Sequence, residues 1–135
     1  AVLYFAKLHD KSDFYWTNVL LPTYFCHAMV PFTQTLPPWM VEPDALPKHP
    51  IRAFNFWIIK HASIHANTLP SAHVTASIAA AMVLLQFLPG IGAVFLWIAL
   101  SIVVGAVTGR YHYSLDVISA LAVVLILFTI IHAWY

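Results

Sequence analysis

His112 and Asp116 stand four residues apart, so on a helix their side chains share one face within hydrogen-bond reach. A carboxylate that holds one imidazole nitrogen leaves the other free and more basic, which suits a nucleophile or a general base. The plainer role of such a pair is to anchor a helix end, but an ionisable residue beside a membrane is costly enough to weigh toward function. Ser71 and His73 sit at the expected start of another helix, opened by Pro70. Free backbone N–H groups and the positive end of the helix dipole favour an anion there. Ser71 adds a hydroxyl, and His73 could hand a proton to a leaving oxygen. Alone, Ser71 reads as an N-cap, a common place for serine; the second cluster weighs the other way. Arg110, two residues before His112, supplies a cation. Lys60 and Arg52 could lean in from the preceding helix, although Arg52 is better suited to snorkel toward lipid headgroups. His61 and His65 are also four apart and could share a metal or haem iron, a weaker pattern than the first.

The elements that must position these residues follow from composition and hydropathy. The chain has 135 residues, 61% hydrophobic and only 8% charged, with a mean hydropathy of +0.82. Soluble domains usually carry about 25% charged residues, so an integral membrane protein is expected. No Lys/Arg cluster is present to neutralise a phosphate backbone, which excludes nucleic acid as a partner. The lone cysteine, Cys26, has no internal disulfide partner.

The expected fold is all-α: a polytopic transmembrane bundle with about four spanning helices and one interfacial helix. Residues 1–135 read as one membrane-embedded domain. Ala1–Ala6 resembles the tail of a hydrophobic span, so one or more earlier helices are expected to precede it. Residues 14–34 form the first span, with Asp13 as N-cap and kinks at Pro22 and Pro31. Residues 35–50 carry Pro37, Pro38, Pro43, Pro47 and Pro50, and read as a loop. Residues 51–67 form an interfacial helix with Ile51, Phe54, Ile58 and Ala62 on one face and Phe56 and Trp57 as anchors. Residues 71–88, 91–108 and 112–134 complete the spans, the first two joined by a tight turn at Pro89-Gly90. Two passes separate Ser71 from Arg110, so both polar clusters must meet on one side.

Pro70-Ser71-Ala72-His73 resembles the PSGH motif, and His112-x-x-x-Asp116 resembles the HxxxD motif, of the type-2 phosphatidic acid phosphatase superfamily, which includes membrane lipid phosphate phosphatases and soluble vanadium haloperoxidases. The resemblance covers roughly residues 37–120. Two motifs in this order and on one membrane side make a stronger signal than either alone. It implies that His112 attacks phosphorus to form a phosphohistidine, that Asp116 orients it, and that His73 protonates the leaving alcohol. It implies too that Ser71 and the Ala72 amide hold the phosphoryl oxygens, with no metal or other cofactor. Departures are visible: Met29 stands where the family has a lysine, Leu36 where it has an arginine, and Ala106 where a second arginine precedes the histidine. Cations around the equatorial oxygens matter to phosphoryl transfer; Arg110 and Lys60, with Arg52 or Lys48, are the expected substitutes.

The expectation is therefore a multi-pass membrane phosphatase or phosphotransferase acting on a lipid phosphate of phosphatidate, isoprenoid or sphingolipid type, with the bilayer as surroundings and a homo-oligomer as an option. Two alternatives stand beside it: a catalytically weakened relative that binds phospholipid, and a His61/His65 metal or haem protein. Lys48, Arg52, Lys60 and Arg110 lie on the site side against Lys7 and Lys11 opposite, which by the positive-inside rule points to the cytoplasm. The resemblance implies the extracytoplasmic side, and the expectation follows it.

Overall fold

A computed structural model describes residues 8–33, 35–41, 49–62 and 68–135, without the side chains of 59, 60 and 62. A 3-10 turn at His9–Lys11 leads into α1 (Ser12–Met29). Then follow α2 (Pro38–Val41), α3 (Pro50–Ala62), α4 (Ala72–Phe87), α5 (Pro89–Thr108) and α6 (Ser114–Trp134). The chain is all-helical, and no strand occurs among the described residues.

Helix α4 is the axis of the bundle. It is apolar on every side, the pattern of a helix buried all round, and Val74, Ala81, Val83 and Leu84 are fully or almost fully enclosed. Helices α1, α5 and α6 all pack on it, whereas α5 and α6 scarcely touch each other. One cluster joins Val74, Ile78, Ala79 and Ala81 of α4 to Ala99 of α5 and to Val117, Ala120 and Val124 of α6. A second joins Phe14 of α1, Val83 of α4 and Ile131 of α6 at the opposite end. There Phe14 meets Phe87, Phe128, His132 and Tyr135 edge-on, the arrangement aromatic rings prefer. The contacts fix the directions: α1 and α5 run antiparallel to α4, and α6 runs parallel to it. The C-termini of α1 and α5 and the N-termini of α4 and α6 thus share one end.

Helices α5 and α6 are long and apolar enough to cross a membrane. Of the 20 residues of α5, only Gly92, Ala99 and Ala106 are buried; Val94, Trp97, Ile98, Leu100 and Val104 face outward. Four spans were expected. Helix α4 is apolar but has 16 residues, about 24 Å of rise against about 30 Å of hydrocarbon. Helix α1 carries Asp13, Thr17, Asn18, Thr23 and His27 along its length and is not apolar enough to qualify.

Several boundaries differ from expectation for local reasons. Helix α1 starts at Ser12, so Asp13 lies in its first turn and is not the N-cap. It stops at Met29 because Pro31 has no N–H to bond the His27 carbonyl, which takes the Val30 amide at 3.2 Å instead, and the Phe32 and Thr33 amides turn back to the Met29 carbonyl. The proline-rich segment contains one helical turn, α2, with Pro38 at its first position, where a missing N–H costs nothing. The expected turn at Pro89-Gly90 is instead the first turn of α5, and Leu88 alone separates it from α4. This hairpin needs Gly92: a Cβ there would overlap the backbone of Leu84 and Leu85. Helix α3 presents Ile51, Phe54, Trp57 and Ile58 as exposed residues. The expected span tail at 1–6, much of the 35–50 loop and the end of the interfacial helix lie outside the described residues.

Candidate active site

The two sequence clusters meet at the shared helix end. The Ser71 amide donates to the Asp116 carbonyl at 3.1 Å, so the entry to α4 and the first turn of α6 are joined directly. The His73 and His112 ring centroids lie 6.4 Å apart, close enough for one phosphoryl group to reach both imidazoles.

His112 sits in the connection between α5 and α6, two residues before α6 begins. Its contact with Asp116 is therefore made across a helix start and not along a helix face. His112 Nδ1 donates to Asp116 Oδ2 at 3.3 Å, with the two side chains only 12% and 4% exposed. The same carboxylate oxygen accepts the Tyr113 amide at 2.9 Å, which satisfies a donor at the helix N-terminus. One buried carboxylate thus caps α6 and fixes the ring that precedes it. With Nδ1 committed to the carboxylate, the free nitrogen of His112 is Nε2.

The connection itself is held from three directions. Arg110 has φ 60°, the left-handed conformation usually given to glycine after a helix. The Arg110 amide donates to the Val107 carbonyl and the Tyr111 amide to the Ala106 carbonyl, both at 3.0 Å, the two reverse bonds of a Schellman motif. The His112 amide also donates to the Ala106 carbonyl at 3.0 Å. From α2, the Trp39 amide donates to the Arg110 carbonyl at 3.1 Å. From α3, Arg52 Nη2 donates to the Gly109 carbonyl at 3.2 Å while its guanidinium lies 5.3 Å from the Phe56 ring centroid. Arg52 is thus a clamp on the C-terminus of α5, where a cation suits the helix dipole, and not the headgroup anchor the sequence suggested.

At the start of α4, Ser71 occupies the N-cap position, but its hydroxyl makes no capping bond. The side chain is completely buried, and its Oγ has no hydrogen-bond partner among the described residues. The Ala72 amide is met by Thr68 Oγ1 at 3.4 Å. Behind them, Thr75 Oγ1 donates to the Ser71 carbonyl at 2.8 Å and lies 3.2 Å from the buried Cys26 Sγ of α1. Thr33 Oγ1, 2.9 Å from the Leu69 carbonyl, ties the end of α1 to the same approach. His73, one residue inside the helix, is exposed.

His27, in the last turn of α1, lies with His112 within electrostatic reach of His73. The sequence motifs did not single it out; its position at the end of an apolar run was the one available signal. The side chain of Lys60 and all of His65 lie outside the described residues. His61 is exposed and bonds the Trp57 carbonyl of its own helix at 2.7 Å. Among the described residues no three His, Cys, Asp or Glu side chains are grouped to hold a metal.

Comparison with family models, curated proteins and solved structures found no match to this chain.

Proposed function

We propose that the chain is a membrane phosphatase or phosphotransferase of the type-2 phosphatidic acid phosphatase kind, acting on a lipid phosphate. The observation that carries this reading is the convergence of His112, Asp116 and His73 at one end of a helical bundle whose flanks are apolar. His112 Nε2 attacks phosphorus while the bond to the leaving oxygen breaks, and His73 gives that oxygen its proton. Water, or the hydroxyl of an acceptor lipid, then attacks the phosphohistidine and returns His112 to its starting state, its proton passing to His73. Asp116 holds the imidazole in one tautomer and stabilises the positive charge it gains. Arg110, with Lys60 as a second cation, and the start of α4 at Ser71 and Ala72 bind the phosphoryl oxygens once the Thr68 hydroxyl releases the Ala72 amide.

The bundle crosses the bilayer four times, with α1 and α4 passing beside α5 and α6. Support comes from α4 packing alongside both apolar helices, and from the many large apolar side chains that α5 and α6 leave exposed. Helix α3 lies at the interface on its exposed apolar side chains, and the site faces the extracytoplasmic side. A lipid substrate keeps its tail in hydrocarbon and lifts its phosphate to His112.

The test is phosphate release in detergent from phosphatidate, isoprenoid and sphingoid phosphates, with and without EDTA, by the parent protein and by His112→Ala. Chelator-resistant release lost in the variant supports the reading. A folded parent protein that releases no phosphate and transfers none to an added lipid alcohol sinks it. A second reading, a phospholipid-binding relative without turnover, is favoured by the apolar residues Met29, Leu36 and Ala106 at the family's cation positions; it requires binding of a phosphate monoester with no product.

A further inference from the structure

Helix α1 has no Lys or Arg after Lys11, so the one basic side chain it brings to the site end is His27 in its last turn. That turn is fixed in place. Cys26, the neighbour of His27, is completely buried and its Sγ lies 3.2 Å from Thr75 Oγ1, one turn into α4. Thr75 in turn bonds the Ser71 carbonyl. The end of α1 is therefore pinned against the first turn of α4, which carries His73. His27 and His73 are both exposed, and His73 in turn faces His112 at 6.4 Å between centroids. His73 from α4 and His112 from the α5–α6 connection thus face each other, and His27 stands on the turn of α1 that packs against the same helix start. Among the described residues, the carboxylate beside His112 is Asp116, which also holds the Tyr113 amide.

What such a cluster binds follows from its spacing and charge. A metal needs nitrogen ligands at about 2.0–2.1 Å from one point, and no three of the described side chains are grouped so tightly. A phosphoryl group is larger and offers several acceptor oxygens, each able to take a separate N–H. Imidazolium donors form charge-assisted bonds to such oxygens. We infer that His27 is a phosphate-binding residue of this site, supplying from α1 the N–H donor that the apolar Met29 and Leu36 do not. This rests on the phosphatase reading above and adds to it a residue that the motif resemblance does not contain. The plainer role, a histidine that favours the C-terminus of its own helix, predicts no effect on phosphate.

The experiment measures inhibition by inorganic phosphate, together with KM and kcat for a lipid phosphate, on the full chain in detergent. His27→Ala and His27→Gln weaken inorganic phosphate by about tenfold or more and raise KM. His27→Lys, which places a cation there, recovers most of the lost affinity. His61→Gln, at an exposed histidine of α3 that bonds its own helix, leaves phosphate affinity where it was. Equal phosphate affinity in the parent protein and His27→Ala overturns the inference, and so does a folded His27→Lys that binds no better than His27→Ala. If the parent protein is active and His112→Ala is not, those outcomes remove His27 alone. If the parent protein neither turns over nor binds phosphate, the function and this residue's role fall together.

Discussion

The Ser71 amide and the Asp116 carbonyl are joined by a 3.1 Å hydrogen bond, which locks the start of α4 to the first turn of α6. The two positions lie 45 apart in the sequence (116 − 71), and both helices point into the bundle from that bond. It sets the distance between His73, just after Ser71, and His112, held by the Asp116 side chain. The proposed proton donor and the proposed nucleophile are thus placed by a backbone contact, which side-chain substitutions leave intact. Single substitutions can therefore separate chemistry from folding.

Asp116 has two duties that Asn can divide. In Asp116→Asn the amide oxygen still accepts the Tyr113 N–H, so α6 keeps its cap and stability falls by less than about 1 kcal/mol. The charge behind His112 is lost, and turnover drops by about a hundredfold or more. Asp116→Ala loses both, adding a stability cost of about 1 kcal/mol. Thermal unfolding and phosphate release on the two variants check this; equal turnover in Asp116→Asn and the parent protein contradicts it.

Ser71 carries a buried hydroxyl with no partner among the described residues. Removing an unsatisfied buried polar group is neutral or stabilising, whereas removing a working N-cap costs about 1 kcal/mol. Ser71→Ala is expected to leave the unfolding midpoint unchanged or raised, and to weaken phosphate binding. A clear loss of stability would show that the hydroxyl serves the helix.

Arg110 holds the left-handed position that glycine fills more cheaply, a difference of about 1 kcal/mol. Arg110→Gly should therefore not lower the unfolding midpoint, while phosphate release falls. A strained residue kept at a proposed site is the pattern expected where function and stability compete. A destabilised but fully active Arg110→Gly would contradict both halves.

At Gly92 α5 lies against the end of α4, and the backbone of Leu84 and Leu85 leaves no space for a Cβ. Gly92→Ala forces the helices apart and costs about 1–3 kcal/mol, read as a lower midpoint in detergent. Gly90, with nothing within 4 Å of its would-be Cβ, accepts alanine without such a loss.

The long apolar runs and the prolines made the helical segments legible, and two passes between Ser71 and Arg110 implied that the polar clusters share an end. What could not be read was decided by contacts distant in sequence. Helix α1 stops at Met29, before the hydropathy pattern ends, where Pro31 leaves the His27 carbonyl to the Val30 amide. Arg52 has the composition of a headgroup anchor, and only folding brings the Gly109 carbonyl to it. The single-residue connection at Leu88 was hidden because Pro89-Gly90 carries the usual marks of a turn, yet proline also fits the first position of a helix. His27 belongs to no local pattern; the contact of Cys26 with Thr75 packs the turn that carries it against the start of α4.

The central claim is that His112 Nε2 becomes bonded to phosphorus. The most direct test is to quench the protein during turnover of a radiolabelled lipid phosphate under alkaline conditions and locate the label by peptide mass spectrometry. The account predicts an alkali-stable, acid-labile phosphoryl group on His112, absent from His112→Ala and accumulating in a slow His73→Ala. Turnover with no label on His112 at any time point, or label that persists in His112→Ala, would contradict it.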